Sequence, residues 1–406
     1  MLDIRPIFST LKRHKVTAIL LVLEIALTCA IVCNAVFLVR QRLDWMNTPS
    51  GIDEATVVEV RPVNIGATPA MHARVEETLQ ALRQLPGVRY ASLSNELPFG
   101  FESWNDGIKL DKDVVIPAMH VTAYYGDGLI NTFGVQLLEG RDFSPDEYAW
   151  LDDITSGRKD VAIPHVVIIT KFMADRLFHG SALGKTLYYG GEPVRVVGVV
   201  RDVARPNIMD RSLTYGSMFL PIHMSEGIGA TYVMRVQPGQ ADAVLKAASA
   251  RLRELDPNRV IQRKRHYSEV RAAYFASDRA MAGLLVGVCV ALLIVTALGI
   301  VGLGSFWVSQ RRRQIGVRRA LGATRTDVLR YFQTENFLLA TMGIVLGMVL
   351  AYGINIVLML RYESPRLPAI YLPLGAIALW LLGQAAVYAP ARRASRVPPV
   401  EATRGN

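Results

Sequence analysis

Charge is scarce in this sequence. Only 20% of its 406 residues are Asp, Glu, Lys or Arg, while 51% are hydrophobic. Disorder needs the reverse, low hydrophobicity with high net charge, and is excluded. Cysteine is scarcer still: three residues cannot make a disulfide scaffold. Catalytic signatures are missing too. The histidines (14, 72, 120, 165, 179, 223 and 266) are scattered, with no His-Glu-x-x-His, no Cys/His pair at zinc spacing and no Gly-x-Ser-x-Gly elbow. Gly180-Ser181-Ala182-Leu183-Gly184-Lys185-Thr186 looks like a phosphate loop. It has one residue too few before its Gly-Lys pair, and a helix precedes it where a strand belongs, so it reads as a turn. No metal site and no catalytic constellation is assigned, and binding or force transmission is the better class.

What the sequence has is long apolar runs. Residues 16–39, 280–308, 337–360 and 369–390 are each long enough to cross a hydrocarbon core, which takes roughly 20 residues. The first run is too long for a signal peptide and ends in Phe37-Leu38-Val39-Arg40 without a small-residue cleavage site, so it reads as an uncleaved anchor. Orientation follows from the basic residues. Segments 1–15, 309–336 and 391–406 hold fifteen Arg and Lys against Asp3, Asp327, Glu335 and Glu401, a net of +11 in a chain whose total is +10. Short basic loops stay in the cytoplasm. The reading is a cytoplasmic N-terminus (1–15), a cytoplasmic loop (309–336), a short outer loop (361–368), a cytoplasmic tail (391–406) and a large external domain (40–279). The basic charge is thus a topology signal, and a nucleic-acid surface is the rejected alternative.

Cys29 and Cys33 in the first span and Cys289 in the second read as apolar packing residues. Gly283/Gly287 and Gly343/Gly347 form two Gly-x-x-x-Gly pairs that permit close helix approach, within one subunit or between two. Glu24 is costly in the first span if it faces lipid. It lies ten residues from Asn34, too far to pair with it, which leaves the interface, another helix or a polar route as its surroundings.

The external domain shows a mixed pattern. Thr56–Arg61 alternates as a strand, Pro69–Leu85 has helical spacing with Val75, Leu79, Leu82 and Leu85 on one face, and Val88–Leu93 is a strand. The same order returns in Tyr232–Val236, Ala241–Leu255 and Val260–Arg265. Two such units predict a ferredoxin-like layer of helices on a sheet. A second lobe, roughly 125–205, is inserted between them. The aromatic loop 97–107, with Phe99, Phe101 and Trp104, reads first as local packing and second as a ligand or partner patch. Residues 40–45 and 266–278 continue the first two spans outward as stalk helices. The fold class is an α-helical membrane protein with four transmembrane helices plus an α+β two-lobed external domain.

The segment Gln310-Arg311-Arg312-Arg313-Gln314-Ile315-Gly316-Val317-Arg318-Arg319-Ala320-Leu321-Gly322-Ala323-Thr324 is the most informative. Its spacing predicts a short helix, with Thr324 and Thr326 placed to cap the next one near Asp327. By itself its basic face would serve to set topology and bind anionic lipid. The segment resembles the coupling segment of MacB/FtsX-type permeases of ABC transporters (type VII, or mechanotransmission, architecture), whose pattern is close to R-R-x-E-I-G-[IV]-x-[RK]-A-x-G-A. Arg311, Arg312, Ile315, Gly316, Val317, Arg319, Ala320, Gly322 and Ala323 match, and Gln314 stands where the family has Glu. The tail 390–402 is similar to the family's ending, with Thr403 in place of its usual Leu. Gly140-Arg141-Asp142-Phe143 and Val197–Asp202 look like the MacB-type periplasmic domain.

The resemblance implies a bacterial inner-membrane permease that acts as a dimer, of two identical or two different chains, with cytosolic ABC ATPase subunits. The coupling residues are then Arg311, Arg312, Arg313, Gln314, Ile315, Gly316, Arg318, Arg319, Ala320, Leu321, Gly322 and Ala323. ATP and magnesium belong to the partner ATPase, and this chain takes no cofactor of its own. A periplasmic adaptor and an outer-membrane channel complete the pump in some members. Export of antibiotics, peptides or lipid-like molecules is the first expectation. A non-transporting force or signal transducer that regulates a periplasmic partner is the alternative.

Overall fold

A computed structural model describes residues 15–64, 71–156, 163–226, 229–362 and 366–396. The chain divides into two compact units: a helical unit of residues 1–47 and 277–406, and a mixed unit of residues 48–276.

The helical unit contains four helices long and apolar enough to cross a membrane, Lys15–Met46, Ala276–Gln310, Arg325–Tyr362 and Tyr371–Ser395. In lipid, apolar helices gain little by burying oil-like surface against each other, so close packing and polar bonds decide which faces meet. Gly343 and Gly347 supply the packing. A Cβ added at Gly343 would lie 2.8 Å from Ile25, and one at Gly347 2.7 Å from the carbonyl oxygen of Ala26. This pair therefore serves the first–third helix contact within one chain. A Cβ added at Gly283 or Gly287 would meet none of the described residues within 4 Å beyond its own turn of helix. Asn34 donates from Nδ2 to the carbonyl of Ala351 at 3.0 Å, and Trp380 from Nε1 to Thr341 at 3.1 Å. Glu24 meets the second helix: its carboxylate fills the space a side chain at Gly299 would take, 2.6 Å from that Cβ position. One turn on, Thr28 and Thr296 share a hydrogen bond of 2.8 Å. Beyond the apolar runs Arg42 pairs with Asp278 at 2.5 Å, so the first two helices remain linked where both continue past the spans.

The mixed unit opens with the ferredoxin-like lobe. Strands β1 (Val57–Asn64), β2 (Val88–Ser94), β12 (Thr231–Val236) and β13 (Arg259–His266) form an antiparallel sheet in the order β13-β1-β12-β2. Helices Met71–Arg83 and Ala241–Leu255 cover one face, burying Val75, Leu79, Leu82, Val244, Ala248 and Leu252 against Val58, Val60, Tyr232 and Met234. The expected helix start at Pro69 lies outside the described residues.

Between β2 and β12 sits the inserted lobe. Its strands are β3 (Asn105–Ile108), β4 (Met119–Tyr125), β5 (Leu137–Gly140), β7 (Val166–Thr170), β8 (Thr186–Tyr189), β9 (Glu192–Val200) and β10 (Ser217–Leu220), in the order β3-β4-β10-β7-β9-β5 with β8 on β9. The lobe is wider than the expected 125–205, because β3 and β10 extend the same sheet on either side of that range. The motif Gly140-Arg141-Asp142-Phe143 has a local cause: Gly140 has φ +77° and passes so close to the carbonyl of Val197 that no side chain fits. The Gly180–Thr186 segment links helix Lys171–Phe178 to β8 as a turn.

A small parallel pair, β6 (Ala149–Trp150) with β11 (Ile222–His223), clasps the lobes. His72, from the first-lobe helix, stacks on Trp150 at 3.9 Å, Trp150 lies 4.8 Å from His223, and His223 stacks on Tyr148 at 4.7 Å. Burial in this column pushes the His223 imidazole below its ordinary range. The aromatic loop packs as expected in part. Phe99 is fully buried against Tyr274 and Phe275, with Arg271 over its ring, while Phe101 is exposed.

The glycine contact gives a direct test. Gly347→Val should lower the thermal midpoint of the full chain in nanodiscs, at a cost of about 1–3 kcal/mol from overpacking. Gly353→Val on the same helix, where an added Cβ meets open space, should change it by less than about 0.5 kcal/mol. Equal effects would remove the packing role of Gly347.

Candidate functional site

The arginine-rich loop begins where the second spanning helix breaks. Arg311 leaves helical geometry with φ −103° and ψ 12°, and helix Arg312–Ala320 comes next. That helix ends at Gly322, whose φ of +99° is a left-handed conformation that suits glycine. Amides 322 and 323 donate to the carbonyls of Arg319 and Arg318 at 3.2 and 3.0 Å. Thr324 and Asp327 then cap the third spanning helix reciprocally: Asp327 N donates to Thr324 Oγ1 at 3.2 Å, and Thr324 N donates to Asp327 Oδ2 at 2.9 Å. Thr326 falls inside the helix, which starts at Arg325.

Arg311 turns inward. Its Nη1 donates to both carboxylate oxygens of Glu335, at 2.8 and 3.1 Å, and the guanidinium lies 5.8 Å over the Trp307 ring. The side chains are 8% and 1% exposed. An ion pair this buried adds little net stability, but losing one partner costs roughly 3–5 kcal/mol because the other charge is stranded. The pair thus fixes where the second helix stops and which way the short helix leaves. Ile315 and Gly316 complete the inward face, with Ile315 packed among Val328, Phe332, Ala391 and Ala394.

The sequence motif therefore divides in two. Arg311, Ile315 and Gly316 hold the helix to its own chain, and Arg319 is half-buried. Arg312, Arg313, Gln314, Val317, Arg318, Ala320 and Leu321 are exposed, with Ala323 half-buried behind them. Arg318 lies 5.0 Å over the Tyr331 ring. Gln314, the departure from the family pattern, is on the outward face. In the tail, Pro390, Ala391 and Ala394 are buried and Arg392 and Arg393 are exposed. Residues 397–406, including the Pro398-Pro399 pair and Thr403, lie outside the described residues. Glu335 was not singled out by the motif. Its signal was that it is one of only two acids, with Asp327, among seven arginines in 309–336.

A double-mutant cycle tests the pair. Arg311→Ala and Glu335→Ala should each lower thermal stability in nanodiscs, and the double variant should lose less than the sum, with a coupling of at least about 1 kcal/mol. Additive losses would show that the two side chains act separately.

Comparisons with known proteins give the family. Residues 286–399 match the family described as FtsX-like permease C-terminal, and residues 21–255, more than half of the chain, match the MacB-like periplasmic core domain. The macrolide export ATP-binding/permease protein MacB of Chromobacterium violaceum is 29% identical over 285 residues, which is 66% of this chain and 41% of that protein. The chain thus spans less than half the length of that relative. The uncharacterized ABC transporter permease YknZ of Bacillus subtilis is 26% identical over 286 residues, 68% of each chain. The crystal structure of the extracellular domain of the noncanonic ABC-type transporter YknZ from Gram-positive bacteria covers 51% of this chain at 18% identity with a TM-score of 0.33, too low to bear on the fold. With an FtsX-like permease segment following a MacB-like core, the chain belongs to the MacB/FtsX-type ABC transporter permeases, multi-pass membrane proteins with a periplasmic domain.

Proposed function

We propose that this permease is the work-transmitting membrane subunit of an ABC-type efflux system, driven by a separate cytosolic ATPase that binds the ATP and magnesium. The observation that carries the reading is the two-faced loop helix. Its inward face is held by the buried Arg311–Glu335 pair, and its outward face offers Arg312, Arg313, Gln314, Val317 and Leu321 to a partner. A basic face made only for lipid headgroups would not need an exposed Leu321 and Val317 among its arginines or a rigid buried anchor. Closure of the ATPase would push this helix, and the second spanning helix, continuous from Ala276 to Gln310, would move with it. That helix comes directly after Tyr267–Tyr274 and β13 in the chain, which gives the push a covalent route to the periplasmic domain.

Both termini and the loop lie in the cytoplasm in this reading, which the distribution of arginines supports. Gly283 and Gly287, with open space beside them, offer a close-packing face to a second permease chain, identical or different. Export of macrolide-like antibiotics, peptides or lipid-like molecules, with a periplasmic adaptor and an outer-membrane channel, is the proposed task. The name of the Chromobacterium relative supports the first of these substrates.

Two experiments test the reading. Arg312→Glu with Arg313→Glu, both exposed, should abolish co-purification of the ATPase while membrane insertion persists; unchanged co-purification would remove the docking role. Val115→Cys, at a position 85% exposed in the periplasmic domain, should react with an impermeant thiol reagent on spheroplasts. Labelling only after lysis would invert the topology.

A further inference from the structure

Two of the most exposed apolar side chains of the periplasmic domain stand beside the segment that leads into the membrane. Met209 is 92% exposed, more than any other large hydrophobic residue among those described, and Phe101 is 53% exposed. A scattered exposed hydrophobe needs no explanation, but these two share an anchor. The Phe101 ring lies 5.2 Å from that of Tyr274. The amide of Ile208, the residue before Met209, donates to Tyr274 Oη at 3.0 Å.

The two loops are tied down, so their apolar tips are held outside. Phe99 N donates to the carbonyl of Arg205 at 3.4 Å, and Phe101 N to that of Pro206 at 3.3 Å. Arg205 is buried and donates to Thr122 at 3.0 Å and to Asn105 at 2.6 Å, which gives the Met209 loop a fixed base. Phe99 turns inward, while Phe101, two residues on, turns outward with φ +72°. Bulky side chains rarely adopt that left-handed conformation, and such strain persists only where the surroundings impose it. Here it presents an aromatic ring to the outside.

Tyr274 sets the level. Six residues separate it from Ala280, where the apolar run of the second span begins, at most about 21 Å of chain. The helix Ala276–Gln310 covers the last four of those steps, about 6 Å. The headgroup layer is roughly 5–8 Å deep on each side of the hydrocarbon, so that helix starts at its edge. Trp45 stands equally far beyond the apolar run of the first span, six residues after Val39. Tyr and Trp are the side chains that favour this level. The other strongly exposed apolar pair, Val115 and Ile116, sits at the tip of the β3–β4 hairpin. That tip is the end opposite Asn105, a strand length from the Tyr274 cluster.

We infer that Phe101 and Met209 form a lipid-contacting patch that inserts at the headgroup–acyl boundary of the leaflet next to the periplasmic domain. The occupant is the bilayer that holds the chain's own spans, because the patch is continuous through Tyr274 with the segment entering that bilayer. Methionine, unbranched and polarizable, suits a fluid partner, and the Phe101 ring adds apolar area. The contact gives the base of the periplasmic domain, where Arg271 donates to the carbonyl of Thr48 at 2.6 Å, a hold on the membrane besides its two helix connections. The inference needs only a chain that spans a membrane and is independent of the ATPase-coupling reading.

The test uses the full chain in phosphatidylcholine nanodiscs, with isotope-labelled methionine methyl groups observed by NMR. The Met209 signal is identified by its loss in Met209→Leu. Its broadening is read with a lipid that carries a nitroxide near the top of the acyl chain, and separately with a water-soluble gadolinium chelate. The expected result is a lipid-to-chelate ratio at Met209 several-fold higher than at a reporter introduced at the hairpin tip by Val115→Met. Phe101→Ser should lower the Met209 ratio by about twofold or more, because interfacial attachment scales with buried apolar area. Phe101→Leu, which keeps most of that area, should preserve it and separates lost contact from misfolding. A ratio at Met209 no higher than at the hairpin tip would put the patch in water and overturn the inference. Protection from both agents would assign it to protein, a second copy of the chain included, and overturn it equally. A ratio unchanged in Phe101→Ser would overturn the shared patch.

Discussion

The buried ion pair between Arg311 and Glu335 is the constraint on which the membrane half of this protein depends. A long apolar helix has no intrinsic reason to stop after Gln310, and the next residues are arginines that favour water. Drawing the first of them back under Trp307, onto a carboxylate that is itself 1% exposed, ends the helix at one residue and orients the short helix beyond it. The division of the loop helix into two faces stems from that geometry. Ile315 and Gly316 fall inward against the third and fourth helices, and Arg312, Arg313 and Arg318 fall outward. The pair's value is specificity of arrangement more than stability, since the desolvation of two charges offsets most of their attraction.

The spanning helices are organised by the same economy of few, directional contacts. The Gly343/Gly347 notch, the Asn34 bond to the Ala351 carbonyl and the Thr28–Thr296 bond each fix one helix pair. Glu24 fits this pattern through Gly299, whose missing side chain leaves room for a carboxylate inside the apolar run. The periplasmic domain is built on the opposite principle, a continuous apolar core shared by two sheets and three longer helices. Its buried polar groups include the Arg259–Glu226 pair at 2.6 Å, while the column of His72, Trp150, His223 and Tyr148 is half-buried.

Much of this was legible in the sequence, and the reason is periodicity. Four uncharged runs, the alternation of β1, and the 3.6-residue spacing of Val75, Leu79 and Leu82 are local signals, and local signals survive in one dimension. The repeat of strand, helix and strand at both ends of the domain was enough to expect the ferredoxin-like order later seen as β13-β1-β12-β2. The extent of the inserted lobe was not, because β3 is only four residues and β10 joins it through β4 from more than a hundred positions further along the chain. The loop motif named the right segment but could not sort its residues, since the sorting depends on Glu335, 24 residues away on another helix. The scattered histidines gave no hint that two of them meet on either side of one tryptophan.

The central claim is that the outward face of the loop helix is where work enters this chain. A photo-crosslinking residue placed at Val317, which is exposed, and separately at Ile315, which is buried, tests it directly in native membranes. The account predicts that position 317 captures a nucleotide-binding protein and position 315 captures only this chain. Capture of such a protein from 315, or of none from 317, would contradict it.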